Sequence, residues 1–422
     1  MILARMIYDY IIIGGGLAGL TVAEGLSKKK HDVLLLEQYP GFGGRIATER
    51  VPKTADTPAL QYEVGAGRIF HSHKRVAALV ARYGLKTYPI GADSLYEGER
   101  NDFVELFSPI RDVLETLPRK TLATHTIKDL VPSSMHSILT KYPYTSELET
   151  LRSDAALPLF RPKAPMAAAG ATFYGLVGGL DQLAKGKHKE AVTAGADCRV
   201  RYKVSDVTRG SDGIIDVVGM YGKKDAKRPF HVRCRDIIIA TCRCSLSTFS
   251  ILKGAPLLKQ LNTGALMRIY AVYPKGADGR CWFEGLEKTV TANPLRFVIP
   301  INPKTGLIMI SYTDGSDTVY WRGLEGKALE SAIQHHVKAL FPGKAIPAPT
   351  YLKKHDWTQG CTYWIPPGLD EPGVPAPYDI LSASRAAHHP FPNVYLTGES
   401  VNPTQTWMES ALESAEYLLS KL

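Results

Sequence analysis

The chain contains 422 residues, of which 45% are hydrophobic and 22% charged, and this composition excludes a disordered chain and is long enough for two domains. Its 51 Lys and Arg against 41 Asp and Glu leave a net charge of +10, which permits attraction to nucleic acid, an anionic membrane or an acidic ligand. Because the basic residues are scattered apart from 28–30 and 353–354, we interpret the excess as solvated surface and expect no nucleic-acid partner.

A β-α-β unit is predicted at the start of the chain. The apolar run "DYIIIGG" (9–15) suits a buried parallel strand, and "LAGLTVAEGLSKK" (17–29) has the apolar spacing of a helix. The run "HDVLLLEQ" (31–38) is typical of a second buried strand.

The junctions of this unit carry a glycine pattern and an acid. Gly14, Gly16 and Gly19 form G-x-G-x-x-G between the first strand and the helix, and Glu37 ends the second strand. Glycines there allow a tight turn and close approach of a pyrophosphate to the helix N-terminus, while the carboxylate accepts from a ribose hydroxyl. We therefore predict a dinucleotide site, with the intervening Leu17 and Ala18 among its contacts.

The remaining elements are predicted from apolar spacing. Helices are predicted at 75–85, 324–341 and 406–422, and 174–185 is interpreted as a loop that leads into a helix. Residues 100–165 are expected to form mixed helices and loops with several prolines. Strands are predicted at 197–209, 214–222, 231–241, 266–274, 296–302, 306–314 and 393–400.

The cysteines and the apolar segments indicate in which cellular compartment the protein is expected. Six cysteines, with no close spacing beyond Cys242-x-Cys244, favour a reducing compartment over a disulfide framework, and no metal site is predicted. The stretch 8–20 is too short and too rich in glycine to span a membrane, and its flanks do not resemble a signal peptide. We expect a soluble, cytoplasmic protein without a membrane anchor, and a homodimer is an option that the sequence leaves open.

A second glycine-rich turn narrows the choice of dinucleotide cofactor. Gly43, Gly44 and Arg45 follow Glu37, and a further turn with a guanidinium suits a ligand with an extended pyrophosphate. Together with "LTGES" (396–400) and "WMESALESAE" (407–416), this pattern resembles the flavin-containing amine oxidase family, which includes monoamine, polyamine and L-amino-acid oxidases.

The resemblance implies the fold and the cofactor. It implies an α/β fold in which a Rossmann-like FAD-binding domain carries an inserted substrate domain of mixed sheet and helices. The FAD-binding domain would comprise 1–75, 180–255 and 375–422, and the substrate domain 76–179 and 256–374.

The resemblance also assigns cofactor contacts beyond the first unit. In "EVGAGRIF" (63–70) the residues beside the flavin ring would be Gly65, Ala66, Gly67 and Arg68. Further contacts with FAD would come from Val204, Gly398, Glu399, Trp407 and Met408. An ordinary surface ion pair between Arg68 and Glu399 is the alternative for those two residues.

Aromatic residues are expected at the flavin. In the amine oxidases two aromatic side chains form a cage through which the amine approaches, and Trp407, at the start of the last predicted helix, matches one of them. The other wall would come from "DWTQGCTYWIPPG" (356–368), where the register leaves Thr362, Tyr363 and Trp364 open, with the last two as the aromatic options. Cys361 lies near the position at which some members attach FAD through a thioether, although most bind FAD without a covalent bond.

One position departs from the family pattern. The oxidases usually carry a lysine that holds a water against flavin N5, and the matching residue here is Arg268. Arginine cannot act as a base, but it can hold a water or bind a substrate carboxylate in a bidentate pair. A shifted alignment would make Arg268 a surface residue instead.

The implied activity is oxidation of an amine or amino acid. The resemblance implies hydride transfer to flavin N5, an imine that hydrolyses to a carbonyl product, and reoxidation by oxygen to hydrogen peroxide. Trp407, Tyr363, Trp364 and Arg268 are the candidate catalytic residues. The alternatives are a desaturase or isomerase of the same superfamily, which the missing lysine favours, and a non-catalytic flavin-binding protein that engages a partner.

Overall fold

The computed structural model describes residues 7–55, 57–91, 94–96, 99–100, 103–160, 172–367 and 380–422. Its strands in chain order are β1 (Ile7–Ile13), β2 (Val33–Glu37), β3 (Thr48–Val51), β4 (Leu60–Glu63), β5 (Ile69–Phe70), β6 (Thr87–Gly91), β7 (Leu95–Tyr96), β8 (Glu99–Arg100), β9 (Thr172–Leu176), β10 (Asp197–Val200), β11 (Tyr202–Arg209), β12 (Ile215–Tyr221), β13 (Arg228–Ile239), β14 (Leu261–Val272), β15 (Thr289–Val290), β16 (Phe297–Asn302), β17 (Leu307–Asp314), β18 (Tyr351–Trp364) and β19 (Val394–Leu396).

The helices range from single turns to four turns. In chain order they are α1 (Leu17–Lys28), α2 (Lys74–Arg82), α3 (Phe103–Leu106), α4 (Ser108–Glu115), α5 (Arg119–Thr124), α6 (Ile127–Leu130), α7 (His136–Leu139), α8 (Thr145–Glu149), α9 (Ser153–Ala156), α10 (Asp181–Ala194), α11 (Arg243–Leu246), α12 (Leu257–Gln260), α13 (Thr318–Arg322), α14 (Gly326–Leu340), α15 (Ile380–Ala387) and α16 (Met408–Leu419).

The first large sheet is mostly parallel. Within the described chain its order is β10, β2, β1, β13, β12 and β11, with β19 beside β13. The pairs from β10 to β13, and β13 with β19, are parallel, whereas β12 and β11 complete the sheet in antiparallel fashion. Successive strand residues point to opposite faces, so Ile12 and Leu35 pack in a core with residues of α1, α10 and α16, while Ile11 and Leu34 join the core on the other face. Burial on both faces explains the unbroken apolar runs of β1 and β2.

The second large sheet has the order β18, β14, β17, β16, β15, β7 and β8 among the described residues. One face of β14 and β17 packs on α14, where Ile269 and Ile310 share a core with Ile333. The other face packs on β4, where Tyr270 and Met309 share a core with Tyr62. Side chains of this sheet therefore reach the β4 segment, which follows the first glycine-rich turns in the chain.

The structure confirms the predicted element type, helix or strand, for the β-α-β unit, the later strands and the long helices. The strand predicted at 197–209 is wrong as a single element, because Arg201 has φ 63° and divides β10 from β11. The loop predicted to lead into a helix at 174–185 begins with the end of β9, and α10 starts after Gly178 and Gly179, both with positive φ.

Several elements had no counterpart in the sequence interpretation, among them β18, α15 and the short strands β3, β4 and β6. No helix in the described ranges combines the length and hydrophobicity needed to cross a membrane. The first sheet draws its strands from 7–37, 197–239 and 394–396, and the domain boundaries given above remain a prediction.

Candidate functional site

A cavity of about 2220 Å³ is lined by residues of both large sheets. It is larger than the roughly 300–1,000 Å³ of pockets for drug-sized ligands, so it can hold a long cofactor together with a substrate. Its walls include most of the predicted site residues, namely Gly14, Gly16, Leu17, Ala18, Glu37, Gly43, Gly44, Arg45, Gly65, Ala66, Gly67, Arg68, Val204, Arg268, Tyr363, Gly398, Glu399, Trp407 and Met408. Gly19 and Trp364 are not among the lining residues.

The turn between β1 and α1 requires two of its glycines for steric reasons. Gly14 has φ +110°, and a Cβ there would lie 2.4 Å from the Ala240 carbonyl oxygen. A Cβ on Gly19 would lie 2.0 Å from the carbonyl oxygen of Gly14, so this glycine lets the helix pack on the turn. Gly16 differs, because a Cβ there meets nothing within 4 Å. Its free side faces the cavity.

The start of α1 and the end of β2 provide complementary polar groups. Gly16 precedes α1 without a side-chain hydrogen bond to the first turn, so backbone N–H groups and the positive end of the helix dipole are available to an anion. Glu37 is buried, and its carboxylate accepts from the backbone N–H groups of Gly15 and Tyr39, both at 2.8 Å. Burial raises the pKa of Glu37, and these amide donors oppose that shift.

The second glycine-rich turn lies against the first. Gly43 and Gly44 have φ +137° and +59°, and a Cβ on Gly44 would lie 3.5 Å from the Cα of Gly16. Arg45 forms an ion pair with the buried Glu399 and donates to the Gly360 carbonyl at 3.3 Å. The two ends of the chain are thereby joined at one wall of the cavity.

The surface ion pair considered for Arg68 and Glu399 is wrong, because Glu399 is buried and pairs with Arg45. Arg68 donates to the Tyr144 hydroxyl at 3.0 Å, and its guanidinium lies 4.8 Å from the centre of the Phe173 ring. Among the described residues no carboxylate lies within ion-pair distance of Arg68. The cavity therefore has on its wall a guanidinium that forms no ion pair among the described residues, although its charge lowers the pKa of the nearby Glu147 and opposes the effect of burial there.

Trp407 stands at the N-terminal end of α16. It is the residue before the helix, its ring packs edge-on against Phe70 with centroids 4.5 Å apart, and it meets His73 at 5.4 Å. Burial lowers the pKa of His73 to about 4, so this ring is neutral near pH 7. The preceding Thr406 has φ +78°, a conformation that costs a non-glycine residue energy, and its N–H donates to Glu399 at 3.0 Å.

The position of Trp407 is fixed from the α16 side as well. The Glu409 carboxylate accepts from the backbone N–H groups of Arg75 and Val76, at 3.0–3.1 Å, and so caps the N-terminus of α2. This contact ties the starts of α2 and α16 together.

The alternation of side chains along β18 separates the two aromatic options for the second wall. Cys361 and Tyr363 line the cavity, whereas Thr362 and Trp364 do not. Trp364 is fully buried elsewhere, where its indole N–H donates to the Asn402 carbonyl at 3.0 Å. The structure does not bring Trp364 to the site, and Tyr363 is the aromatic residue of this pair on the wall.

Cys361 is buried at the same wall, and burial raises the pKa of its thiol. An ionised thiol is correspondingly disfavoured there. Arg268 also lines the cavity, so it is not a surface residue; its Nη1 donates to the Glu63 carbonyl at 3.0 Å, and its guanidinium lies 5.2 Å from the centre of the Tyr312 ring.

Sequence comparison assigns the chain to a family. The profile described as flavin containing amine oxidoreductase matches residues 142–417, and that of an NAD(P)-binding Rossmann-like domain matches 12–83. The chain belongs to the flavin-containing amine oxidoreductase family. Membership implies FAD as the cofactor and places the chain among FAD-dependent oxidoreductases.

Individual relatives align over short stretches. The chain is 37% identical to (S)-6-hydroxynicotine oxidase of Paenarthrobacter nicotinovorans over 81 residues, which are 19% of this chain and 18% of that protein. It is 30% identical to L-amino acid dehydrogenase of Synechocystis sp. over 106 residues, 24% of this chain and 21% of that protein. These alignments span about a fifth of the relatives' own length.

Solved structures cover the whole fold. Cyclohexylamine oxidase from Brevibacterium oxydans superposes with a TM-score of 0.72 at 18% identity, and 99% of each chain is covered. Putrescine oxidase bound to putrescine gives 0.73 at 14% identity, again with 99% of each chain covered. The amine-oxidase fold expected from the sequence is therefore confirmed.

The residues present in this flavin-containing amine oxidoreductase fit FAD. The open side of Gly16 and the uncapped start of α1 suit a pyrophosphate, and Glu37 lies at the end of β2, where a ribose is held in such folds. The cavity continues from there to Trp407 and Tyr363, so one space joins the dinucleotide region to the aromatic region.

Three acids on the cavity wall were absent from the sequence interpretation, the half-buried Glu63 and the buried Glu147 and Asp314. Burial raises the pKa of Glu63 and of Asp314 to about 7 and that of Glu147 to about 8, and the neighbouring Asp314 contributes to the shift at Glu147. Asp314 accepts from the Ser146 N–H at 2.7 Å, and Glu147 accepts from the Tyr142 hydroxyl. Nothing in the local sequence pattern signals these acids, because their burial arises from contacts between distant segments.

Proposed function

We propose that the chain is an FAD-dependent oxidase of an amine or amino acid, with oxygen as the electron acceptor and hydrogen peroxide as a product. The observation that carries this proposal is one continuous cavity that runs from the glycine turns to Trp407, Tyr363 and the guanidinium groups of Arg68 and Arg268. Family membership supports oxidoreductase chemistry with FAD.

The cofactor-binding part of the proposal assigns roles to named groups. The first amides of α1, with Gly14 and Gly16, would hold the pyrophosphate, and Glu37 would accept from the ribose. Arg45, Val204, Gly398 and Glu399 would complete the binding surface, and the Gly65–Arg68 segment would lie beside the ring system.

Bound FAD supplies the acceptor for a hydride from the carbon that bears nitrogen, and oxygen takes the electrons on to hydrogen peroxide. The protein's part is to bind, orient and desolvate the substrate. Trp407 and Tyr363 are the proposed aromatic walls, and a dry site between them favours the neutral amine from which the hydride leaves. The resulting imine hydrolyses to a carbonyl product.

Arg68 supports an amino acid over a simple amine as the substrate. Its guanidinium lines the cavity and forms no ion pair among the described residues, and a planar fork suits bidentate binding of a carboxylate. The names of the relatives include an L-amino acid dehydrogenase and several amine oxidases, which is compatible with either substrate class.

Anaerobic reduction of the bound flavin tests the proposal. The holoenzyme is mixed with amines, polyamines and amino acids, and bleaching of the flavin absorbance by a member of these classes is the expected result. Peroxide formation after oxygen is admitted tests the acceptor separately. Bleaching by a polyene or a porphyrinogen, with none by amines or amino acids, would instead establish desaturase-type chemistry.

A further inference from the structure

Three side chains of the second sheet converge on two consecutive backbone carbonyls of the β4 segment. Arg268 and Tyr270, both on β14, donate to the Glu63 carbonyl at 3.0 and 2.6 Å. Trp357, on β18, donates from its indole N–H to the Val64 carbonyl at 2.7 Å. The residues that follow these carbonyls are Gly65 to Arg68, the segment that carries the unpaired guanidinium.

These donors keep their protons across the physiological pH range. Arginine and the indole N–H remain donors in water at any pH near neutrality, and burial raises the pKa of Tyr270 to about 12. Tyr270 is 1% exposed and stacks on Tyr62 with ring centroids 4.0 Å apart, so its hydroxyl has a fixed direction. A change of pH near neutrality therefore does not remove any of the three donors.

The opposite side of the segment is also fixed. The backbone N–H groups of Val64 and Ala66 donate to the carbonyls of Ala47 and Arg45, both at 2.9 Å. A Cβ on Gly65 would lie 2.0 Å from the Arg45 carbonyl oxygen, and one on Gly67 would lie 3.3 Å from Arg268 Nη1. The backbone is thus held between the 45–47 segment on one side and the second sheet on the other.

We propose that Arg268, Tyr270 and Trp357 form a carbonyl clamp that positions the Gly65–Arg68 segment, so that Arg268 is a positioning residue rather than the receptor for a substrate carboxylate. The clamp places Arg68 on the cavity wall and leaves it available to the ligand. The effect of the clamp on catalysis rests on the proposed function. The three hydrogen bonds themselves do not depend on which reaction the protein catalyses.

Hydrogen exchange tests the clamp directly in the holoenzyme. Tyr270→Phe removes one donor and keeps the ring, and Trp357→Phe removes one donor and leaves a smaller aromatic ring. Each is expected to speed exchange of the amides at 64–66 by about fivefold or more, the effect of losing a typical net hydrogen bond. Tyr273→Phe and Trp282→Phe are matched controls, because Tyr273 Oη and Trp282 Nε1 are buried without a hydrogen-bond partner in the described structure. The controls are expected to leave this exchange unchanged.

Arg268→Gln separates positioning from carboxylate binding. A positioning role predicts faster exchange at 64–66 and an altered flavin absorbance spectrum, with KM raised alike for simple amines and for amino acids. A rise in KM confined to amino acids, with exchange unchanged, would overturn the assignment of Arg268.

Exchange equal to that of the controls in both Tyr270→Phe and Trp357→Phe would overturn the clamp, and either variant serves if the other is not recovered folded. The exchange result does not depend on turnover. Failure of every amine and amino acid to reduce the flavin would sink the proposed function and leave the clamp to be judged on exchange alone.

Discussion

Gly14 and Gly16 are two residues apart, and the structure predicts opposite consequences for adding one methyl group to each. In Gly14→Ala the methyl carbon would lie 2.4 Å from a backbone oxygen, and the residue would keep φ +110°. Strain of about 1–3 kcal/mol in the backbone and about 1–3 kcal/mol from overpacking give a loss of roughly 2–6 kcal/mol. In Gly16→Ala nothing lies within 4 Å of the methyl and φ is −79°, so the apoprotein should keep its stability.

For FAD binding, the larger effect is expected from Gly16→Ala rather than from Gly14→Ala. The open side of Gly16 faces the cavity, so its methyl occupies the space proposed for the pyrophosphate. A steric cost of about 1–3 kcal/mol corresponds to FAD binding that is weaker by roughly 5- to 150-fold. The assays are thermal unfolding of the apoprotein by circular dichroism and titration of the apoprotein with FAD by fluorescence quenching.

The expected pattern is an apoprotein melting temperature lowered by roughly 4–12 °C in Gly14→Ala, at about 2 °C per kcal/mol, and unchanged in Gly16→Ala. FAD affinity falls in Gly16→Ala without a loss of stability. Wild-type FAD affinity in Gly16→Ala would refute the pyrophosphate assignment. A Gly14→Ala apoprotein as stable as the wild type would refute the steric argument.

Three further predictions follow from the site. Trp407→Ala is expected to retain FAD and lose at least about tenfold in turnover, while Trp407→Phe keeps most of it; equal turnover in Trp407→Ala and the wild type would contradict the cage role. Arg68→Met is expected to raise KM for amino acids by about 10- to 100-fold and to leave KM for simple amines unchanged, in steady-state assays of both substrate classes. Burial raises the pKa of Glu147 from its ordinary value of 4.5 to about 8, so its stabilising contribution is complete below pH 4.5 and lost as the pH rises through 8. The apoprotein melting temperature should therefore fall between pH 5 and 8, and Glu147→Gln, which cannot ionise, should reduce that fall; an unchanged slope would show that Glu147 is not the group responsible.

The local patterns in the sequence predicted the elements that carry the cofactor region. Glycines at fixed offsets and apolar runs on either side of α1 are local features, and local geometry requires them, as the positive φ of Gly14 illustrates. The strand β18 was not predicted, because its residues alternate without a clear apolar face and include charged positions at its start. Its partner β14 lies about a hundred residues earlier in the chain, and pairing over that distance leaves no local signal.

Some of the side chains that meet in the cavity were identified from the sequence, and others could be identified only from the structure. Trp407 was identified from the resemblance of the segment 407–416 to the amine oxidase family, whereas the choice between Tyr363 and Trp364 depended on which face of β18 is turned to the cavity. A shift of one residue in the strand register exchanges the two faces. A sequence whose register is ambiguous therefore cannot decide between Tyr363 and Trp364.

The sequence by itself determined the α/β class, the dinucleotide turn with its acid, and the resemblance to flavin-containing amine oxidases, because each depends on residues close together in the chain. Only the tertiary structure decided the partner of Glu399, the contacts of Arg268 and the burial of Glu147 and Asp314. Arg268 and Glu63, for example, are 205 positions apart in the chain and meet only when the second sheet packs on β4. Charge pairing and burial are set by such packing, which sequence spacing does not encode.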